Sequence, residues 1–262
     1  MTINWKSILL VLMDIVIGVY IFMAVTSWNK PAEVAPVCTK VVINIADENE
    51  NGFLNTQEVK ELLKSKKLYP LNRRTADMNT RHIEEQLTRM PFVSTAQCYT
   101  TQEGHVHVIV TQRTPIVRVK SVKGEDYYVD DNGGVMPNSQ YTSDMIIVTG
   151  NVTQDFACRY LAVLAQAVMA DDLWRNQIVQ INVQEDQSIE LVPRVGEHII
   201  NIGQLPSSAD EETRKERINE FVGKQLHRLE LFYKNGLKYA GWNKYDYISL
   251  EYVNQIVCRK RE

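Results

Sequence analysis

The sequence lacks the patterns that mark the common catalytic and nucleic-acid-binding classes. It contains no nucleophile elbow, no phosphate-binding glycine loop and no dinucleotide fingerprint. Its 29 basic and 32 acidic residues give a formal charge of -3, so it has no basic footprint for nucleic acid. We therefore expect no catalytic residue, no cofactor, no nucleic-acid partner and no small-molecule substrate.

Cysteine is scarce, and its spacing excludes the usual zinc and redox motifs. No pair forms CxxC, and no spacing is typical of a zinc finger. One or two disulfides in an oxidising compartment and chance buried thiols both remain open. The four cysteines are Cys38, Cys98, Cys158 and Cys258.

Histidine offers one candidate metal pair, His105 and His107, which would lie on one face of a strand. A zinc site needs three or four ligands, and no third ligand has suitable spacing. We interpret the pair as an exposed hairpin face and predict no metal site.

One long apolar run is present at the N-terminus. Residues 8–25 are apolar except for Asp14, and the stretch 5–26 supplies the roughly 20 helical residues that a membrane core requires. Three aromatic residues sit where such rings favour the headgroup level: Trp5, Tyr20 and Trp28. The sequence predicts a tail over 1–7 and a transmembrane helix over 8–26.

A cleaved secretory signal is the alternative. The run exceeds a usual signal core, and only Lys6 precedes it, so we favour a retained anchor. Asp14 is costly in lipid; it could mark a partner, or local thinning of the bilayer could accommodate it. The basic residues on the two sides of the helix give only a weak signal for its orientation in the membrane. A short N-terminal tail before a long C-terminal region favours a cytoplasmic N-terminus.

After a linker over 27–37, the pattern predicts strand, helix, helix, strand, strand, with a turn at 49–52 after the first strand. The first helix is capped by Asn55 or Thr56 and the second by Thr80, before Pro91. The five elements are predicted at 39–45, 55–66, 79–90, 93–99 and 105–111. This order, with its Pro91-Phe92-Val93 step before the hairpin, resembles the POTRA module.

A second β-rich region follows. A hairpin is predicted at 127–137, because Asn132-Gly133 can take the positive φ angles of a tight turn. Residues 112–118 resemble the strand that leads out of the POTRA module in related proteins, and residues 189–202 resemble a later hairpin of those proteins. Helices are predicted at 156–170 and 210–234, the latter ending at Asn235-Gly236. A last strand covers 247–259.

The order of anchor, POTRA module and β-rich region resembles the FtsQ/DivIB family of bacterial division proteins. The resemblance implies an α+β fold: a transmembrane helix, a β-α-α-β-β POTRA domain at 38–112, and a mixed α/β domain at 113–262. It further implies a non-enzymatic scaffold of the division complex that helps control septal peptidoglycan synthesis. The expected partners are small bitopic coiled-coil proteins of the FtsB/FtsL type. The expected location is the cytoplasmic membrane at the septum, with the bulk extracytoplasmic.

The final strand is the predicted partner-binding element. A last strand often lies at a sheet edge, where unpaired backbone groups can accept another chain. Its even positions form the packed face, which leaves six partner-facing residues: Tyr247, Ser249, Glu251, Val253, Gln255 and Val257. An ordinary final strand would show the same alternation, and the resemblance favours the binding role.

Two other functions remain open. A POTRA-bearing secretion or outer-membrane assembly factor would show repeated POTRA modules or a following β-barrel. An anchored extracytoplasmic enzyme would need a nucleophile and base in a cleft. The sequence displays neither set of features.

Overall fold

The computed structural model describes residues 5–27, 36–46, 52–139 and 145–262. Helix α1 spans Trp5–Ser27, and its described side chains run from Leu9 to Val25, where the apolar ones are exposed. Across the described ranges, none of the helices combines the length and apolarity that crossing a membrane requires. Most of the predicted tail, most of the linker, and residues 49–51 of the predicted turn lie outside the described residues.

The N-terminal unit, residues 36–112, confirms the predicted β-α-α-β-β order. Strand β3 lies between the other two, parallel to β1 and antiparallel to β2. A single 3-10 turn, Thr75–Asp77, separates the helices. The elements are β1 (Lys40–Ile45), α2 (Thr56–Ser65), α3 (Thr80–Leu87), β2 (Val93–Thr100) and β3 (His105–Gln112).

Asparagine side chains begin both helices of this unit. Asn55 accepts a hydrogen bond from the Glu58 amide at 2.9 Å, and Asn79 accepts one from the His82 amide at 3.0 Å. Such caps satisfy amides that have no partner within the helix. The prediction of Thr80 as the second cap is wrong, because Asn79 provides the capping oxygen and Thr80 is already helical.

The C-terminal unit, residues 113–262, is built on one nine-stranded sheet. Its strand order is β12-β11-β10-β9-β8-β7-β4-β5-β6. The predicted exit strand (β4) and both predicted hairpins (β5–β6 and β9–β10) are confirmed. The strands are β4 (Pro115–Ser121), β5 (Asp126–Asp130), β6 (Val135–Pro137), β7 (Ile146–Gly150), β8 (Ile178–Val183), β9 (Ser188–Pro193), β10 (Ile199–Gln204), β11 (Tyr245–Ser249) and β12 (Val257–Lys260).

Helices contribute the rest of the core of this unit. The first predicted helix begins at α4 (Gln154–Phe156), passes through a π-helical turn (Ala157–Leu161) and continues as α5 (Ala162–Met169). The short helix α6 covers Asp172–Gln177. The apolar faces of α5 and α7 (Glu211–Phe232) join one buried cluster with the sheet. The large buried side chains at its centre include Leu164, Trp174, Leu191, Ile202 and Leu229.

The predicted end of the long helix at Asn235-Gly236 is wrong. After α7 the helix continues through a second π-helical turn (Tyr233–Leu237) into α8 (Lys238–Ala240). It stops at Gly241, whose φ of 95° suits glycine. A Cβ on Gly236 would come within 2.7 Å of the Phe232 ring, so this glycine serves close packing within the helix.

The prediction of one continuous strand over 247–259 is also wrong. The chain leaves β11 after Ser249, turns over residues 250–256, and returns antiparallel as β12. Asn254 in this turn has a φ of 58°, a left-handed conformation that asparagine tolerates. Alternation of polar and apolar residues continued through the turn, so the pattern did not reveal it.

Candidate functional site

Strand β12 is one end of the nine-stranded sheet, and among the described strands only β11 pairs with it. Val257 at its start is 48 % exposed, and every residue of the strand except Cys258 is exposed. An edge strand presents unpaired backbone N–H and C=O groups to its open side. We define the edge site as β12 together with the turn 250–256.

The structure divides the six predicted partner-binding residues. Ser249 is only 5 % exposed, and Tyr247 is half-buried, because β11 lies between β10 and β12. Neither belongs to an edge strand, so these two residues leave the candidate contact set. The remaining four are exposed in the turn or on β12: Glu251, Val253, Gln255 and Val257.

Two polar side chains of α7 hold the turn in place. The Arg228 guanidinium donates to the carbonyls of Leu250 at 2.8 Å, Tyr252 at 2.8 Å and Gln255 at 2.7 Å. Gln225 is buried beside it, and its amide donates to the carbonyls of Ile202 and Leu250. These bonds satisfy carbonyls of the turn and tie it to β10, and they fix the position from which β12 starts.

A shallow groove of about 720 Å³ lies between α7 and this turn. Leu231, Phe232 and Ile256 supply its apolar wall, while Lys224 and His227 lie on its rim. Leu231 is exposed, and Val253 in the adjoining turn is 76 % exposed. The edge site therefore combines an open backbone edge with adjacent apolar surface.

The edge strand is basic. The Arg259 side chain donates to the Asp246 carboxylate at 2.8 Å and lies 5.3 Å from the centre of the Tyr247 ring. The hydrogen bond from Arg259 lowers the pKa of Asp246. Arg261 pairs with Glu197, and Lys260 is exposed. Lysine and arginine on an edge discourage pairing with copies of the same chain and favour an acidic partner strand.

The opposite end of the sheet is closed. Met136 on β6 and Tyr128 on β5 are fully buried against Phe53 and Phe92 of the N-terminal unit. The Phe53 ring lies 5.7 Å from that of Phe92 and 5.4 Å from that of Tyr128. We call this cluster the aromatic joint. It covers one face of the last two strands with side chains of the same molecule, and we call this end of the sheet the closed end.

The predicted histidine face is occupied by local contacts. His105 lies 3.6 Å from the Glu103 carboxylate, and the His107 ring stacks on Tyr99 with 5.2 Å between centres. Within the described ranges, no three histidine, cysteine or carboxylate side chains gather as metal ligands do. Burial raises the pKa of the Cys98 thiol to about 11, which keeps it protonated at neutral pH.

Sequence reasoning missed the α7 residues that support the turn. Gln225 and Arg228 are three positions apart, next to Leu226 and Leu229 on the apolar stripe of the helix. Polar side chains that intrude on an apolar helical stripe usually need partners, because unpaired burial is costly. That intrusion was the available signal.

Comparison with protein families gives two matches. Residues 114–259 match the family model described as FtsQ/DivIB, C-terminal related. Residues 36–111 match the POTRA-like domain model. The two matches meet between β3 and β4, where one sheet ends and the other begins. No curated protein matches the chain.

Proposed function

Because this chain belongs to the FtsQ/DivIB family, which has a role in cell division, we propose that it is a non-enzymatic scaffold of the division complex. In this role it recruits small bitopic coiled-coil proteins of the FtsB/FtsL type and thereby helps control septal peptidoglycan synthesis. Residues 38–112 and 113–262 act as its two extracytoplasmic domains.

The open β12 edge is the observation that carries this proposal. The partner adds an extended segment to β12, so that main-chain hydrogen bonds supply affinity and alternate side chains supply specificity. Val253, Gln255 and Val257 then contact the partner, and the apolar groove beside Leu231 receives the neighbouring part of its chain. The basic residues of β12 favour acidic side chains on the added strand.

The N-terminal helix is the proposed membrane anchor, with the N-terminus in the cytoplasm. Helix α1 has 23 residues, and exposed apolar side chains surround its described part. A helix of that length is about 35 Å long, and a membrane core is about 30 Å thick. Intact-mass measurement of the protein extracted from membranes should show the full N-terminus. A mature N-terminus near Thr26 would instead indicate a cleaved signal.

Val253→Glu in the full-length chain tests the edge site. A bound partner would cover this side chain and bury an unpaired carboxylate, which is costly. We expect the variant to fold and to reach the membrane, yet to recover at least about tenfold less coiled-coil partner in co-purification.

Val122→Glu is the matched control. Val122 is 73 % exposed in the turn between β4 and β5, far from the β12 end of the sheet order. It receives the same change in size and charge at nearly equal exposure. Equal partner recovery by wild type, Val122→Glu and Val253→Glu would place the docking surface elsewhere.

A further inference from the structure

A polar cleft of about 490 Å³ lies in the C-terminal unit and shares no residue with the edge site. Three segments form its walls: the tip of the β5–β6 hairpin, the π-helical turn with the start of α5, and the first turn of α7. The cleft contains both acidic and basic side chains next to small apolar ones such as Ala162 and Ala209.

Close backbone contacts hold the walls of this polar cleft together. Gly133 at the hairpin tip has a φ of 73°, and a Cβ there would lie 2.8 Å from the Cys158 carbonyl oxygen. The Gln166 side-chain amide donates to the Asp131 carbonyl at 2.5 Å. The hairpin tip therefore lies directly on the helical wall, and the cleft is a formed feature of the fold.

Arg214 is the unusual member of the lining. It is only 6 % exposed, and its guanidinium lies 5.4 Å from the centre of the Tyr160 ring. One terminal nitrogen donates to the Ser208 carbonyl at 3.2 Å, while the buried Nε has no hydrogen-bond partner. Among the described residues, no carboxylate lies within salt-bridge distance of it. Asp210 and Glu211 attract it electrostatically without forming an ion pair with it, so the buried guanidinium still favours an incoming negative charge.

The other basic residues of the cleft are already paired. Arg159 is 2.8 Å from the Asp155 carboxylate, and Lys215 is 2.7 Å from that of Glu211. Asp131 and Glu211 also line the cleft, so a ligand with several negative charges would be repelled. The balance favours a ligand with one carboxylate and several N–H donors. A peptide end has that composition.

We propose that the polar cleft binds the C-terminal carboxylate of a short peptide, with Arg214 as the counter-ion. The guanidinium donates to the carboxylate, and this charge-assisted bond is strong because water is largely excluded. The amides and any free amino group of the peptide meet the acidic side chains of Asp131 and Glu211. This role is separate from partner capture at the edge site.

Calorimetric titration of the full-length chain in non-ionic detergent tests the proposal, with alanyl-alanine as the probe. We expect binding to wild type, and a loss of about tenfold or more when the C-terminal carboxylate is replaced by an amide. Arg214→Gln should produce a similar loss. Inorganic phosphate should bind more weakly than the dipeptide.

Arg217→Gln is the matched control, since Arg217 lies on the same helix and donates to the neighbouring Ser207 carbonyl at 3.4 Å but does not line the cleft. We expect it to bind the dipeptide within about twofold of wild type, as for a change outside a binding site. If Arg214 served only to fix the 207–208 segment, both variants would bind the peptide alike. Three results would each overturn the proposal. They are equal binding of the peptide by the two variants, equal binding of the amidated peptide, and no binding of alanyl-alanine to wild type.

Alkylation of Cys158 gives a second readout that needs no substitution of Arg214. This thiol lines the cleft and is half-buried. Bound alanyl-alanine should slow its modification severalfold, as followed by mass spectrometry of the Cys158 peptide, whereas the amidated peptide should not. Unchanged modification under saturating alanyl-alanine would contradict the proposal even if Arg214→Gln fails to fold.

Discussion

The two ends of the nine-stranded sheet differ in how they are covered. At the β6 end, Met136 is fully buried beneath the aromatic joint. At the β12 end, Val257 is 48 % exposed, and among the described strands β12 has β11 as its single neighbour. The N-terminal unit therefore covers a face of the sheet at the closed end, whereas the open end presents an exposed strand.

This difference separates edges that need protection from edges that serve recognition. A long, apolar, open edge invites uncontrolled pairing. Here the open edge is four residues long and carries Arg259 and Lys260, which discourage pairing with copies of itself. Each of the following predictions changes residues at one end of the sheet, and together they compare the stability of the two ends.

The largest effect should come from Arg113→Ala at the closed end. Arg113 donates to the Asp130 carboxylate at 2.7 Å, and the Asp130 side chain is 4 % exposed. Removing one member of a buried pair leaves the other charge uncompensated. We expect the free energy of unfolding to fall by about 3 kcal/mol, the low end of the usual range, because backbone amides still reach Asp130. Urea unfolding followed by circular dichroism measures the loss.

Arg259→Ala provides the comparison at the open end. Arg259 and Asp246 form an ion pair of similar length, 2.8 Å, but the arginine side chain is largely exposed. Exposed pairs contribute little to stability, so this variant should unfold at nearly the wild-type urea concentration. Equal destabilisation by the two arginine variants would mean that the two ends are not as different as their burial indicates.

The second prediction concerns the closed end as a boundary between folding units. A fragment of residues 37–114 contains the complete three-stranded sheet with its own buried cluster. It should fold cooperatively, but with a lower melting temperature than the same unit in the full chain. The reason is that Phe53 and Phe92 lose their cover, and burying such a side chain contributes about 1.5–3 kcal/mol.

Phe53→Ala in the same fragment is the control. In isolation this ring keeps its contact with Phe92 but loses Tyr128 and Met136, so truncation should cost less than in the full-length chain. A fragment that shows no cooperative transition would indicate that residues 38–112 and 113–262 fold as one continuous core.

The third prediction returns to the open end. Arg228→Ala removes the donor to three carbonyls of the 250–256 turn, so the turn should open more often. We expect a stability loss of about 1–2 kcal/mol, faster amide exchange across β12, and weaker partner recovery. Lys224→Ala, one turn earlier on α7 and exposed, should leave the stability and the amide exchange of β12 unchanged. Unchanged exchange in Arg228→Ala would show that β11 pairing alone holds the edge.

The arrangement of elements followed from local patterns, whereas the open edge did not. The hairpin at Asn132-Gly133 was predictable because a positive φ, 73° at Gly133, is a local requirement of the chain. The helix start at Asp210 was predictable for a similar reason: its side chain accepts from the Thr213 amide at 2.8 Å. Both signals lie within a few residues.

The C-terminal strands required information from distant residues. Alternation from Tyr247 to Val257 is consistent with one strand or with two strands joined by a turn, and the Arg228 contacts over 22 to 27 residues help to stabilise the turn. The alternation predicts that Ser249 faces a partner, whereas in the structure Ser249 on β11 pairs with Val257 on β12. In the same way, the polar cleft assembles from three segments that no local pattern connects.

The smallest effect should be a pH dependence at His198, near the open end. Its Nε2 lies 2.7 Å from the Tyr233 hydroxyl, its Nδ1 is buried without a partner, and Arg261, paired with Glu197, is the nearby charge. Burial, followed by the positive charge of Arg261, lowers the pKa of His198 below its usual 6.5. The unfolded chain therefore takes up a proton at a higher pH than the folded chain does. Stability is fully present above about pH 6.5 and is lost as the pH falls toward the lower folded pKa.

Urea unfolding at pH 7.5 and pH 5.5 measures this loss of stability. The midpoint of wild type should fall more between the two pH values than the midpoint of His198→Gln, whose side chain cannot titrate. His227→Gln is the control, because His227 is exposed on α7 and lies 3.9 Å from Glu230, so it should keep the wild-type dependence. Equal pH dependence in wild type and His198→Gln would assign the acid sensitivity to other groups. A further outcome is that wild type and His198→Gln differ in pH dependence, but that this difference disappears when Arg228→Ala is added to both. It would show that water reaches His198 when the open edge loosens.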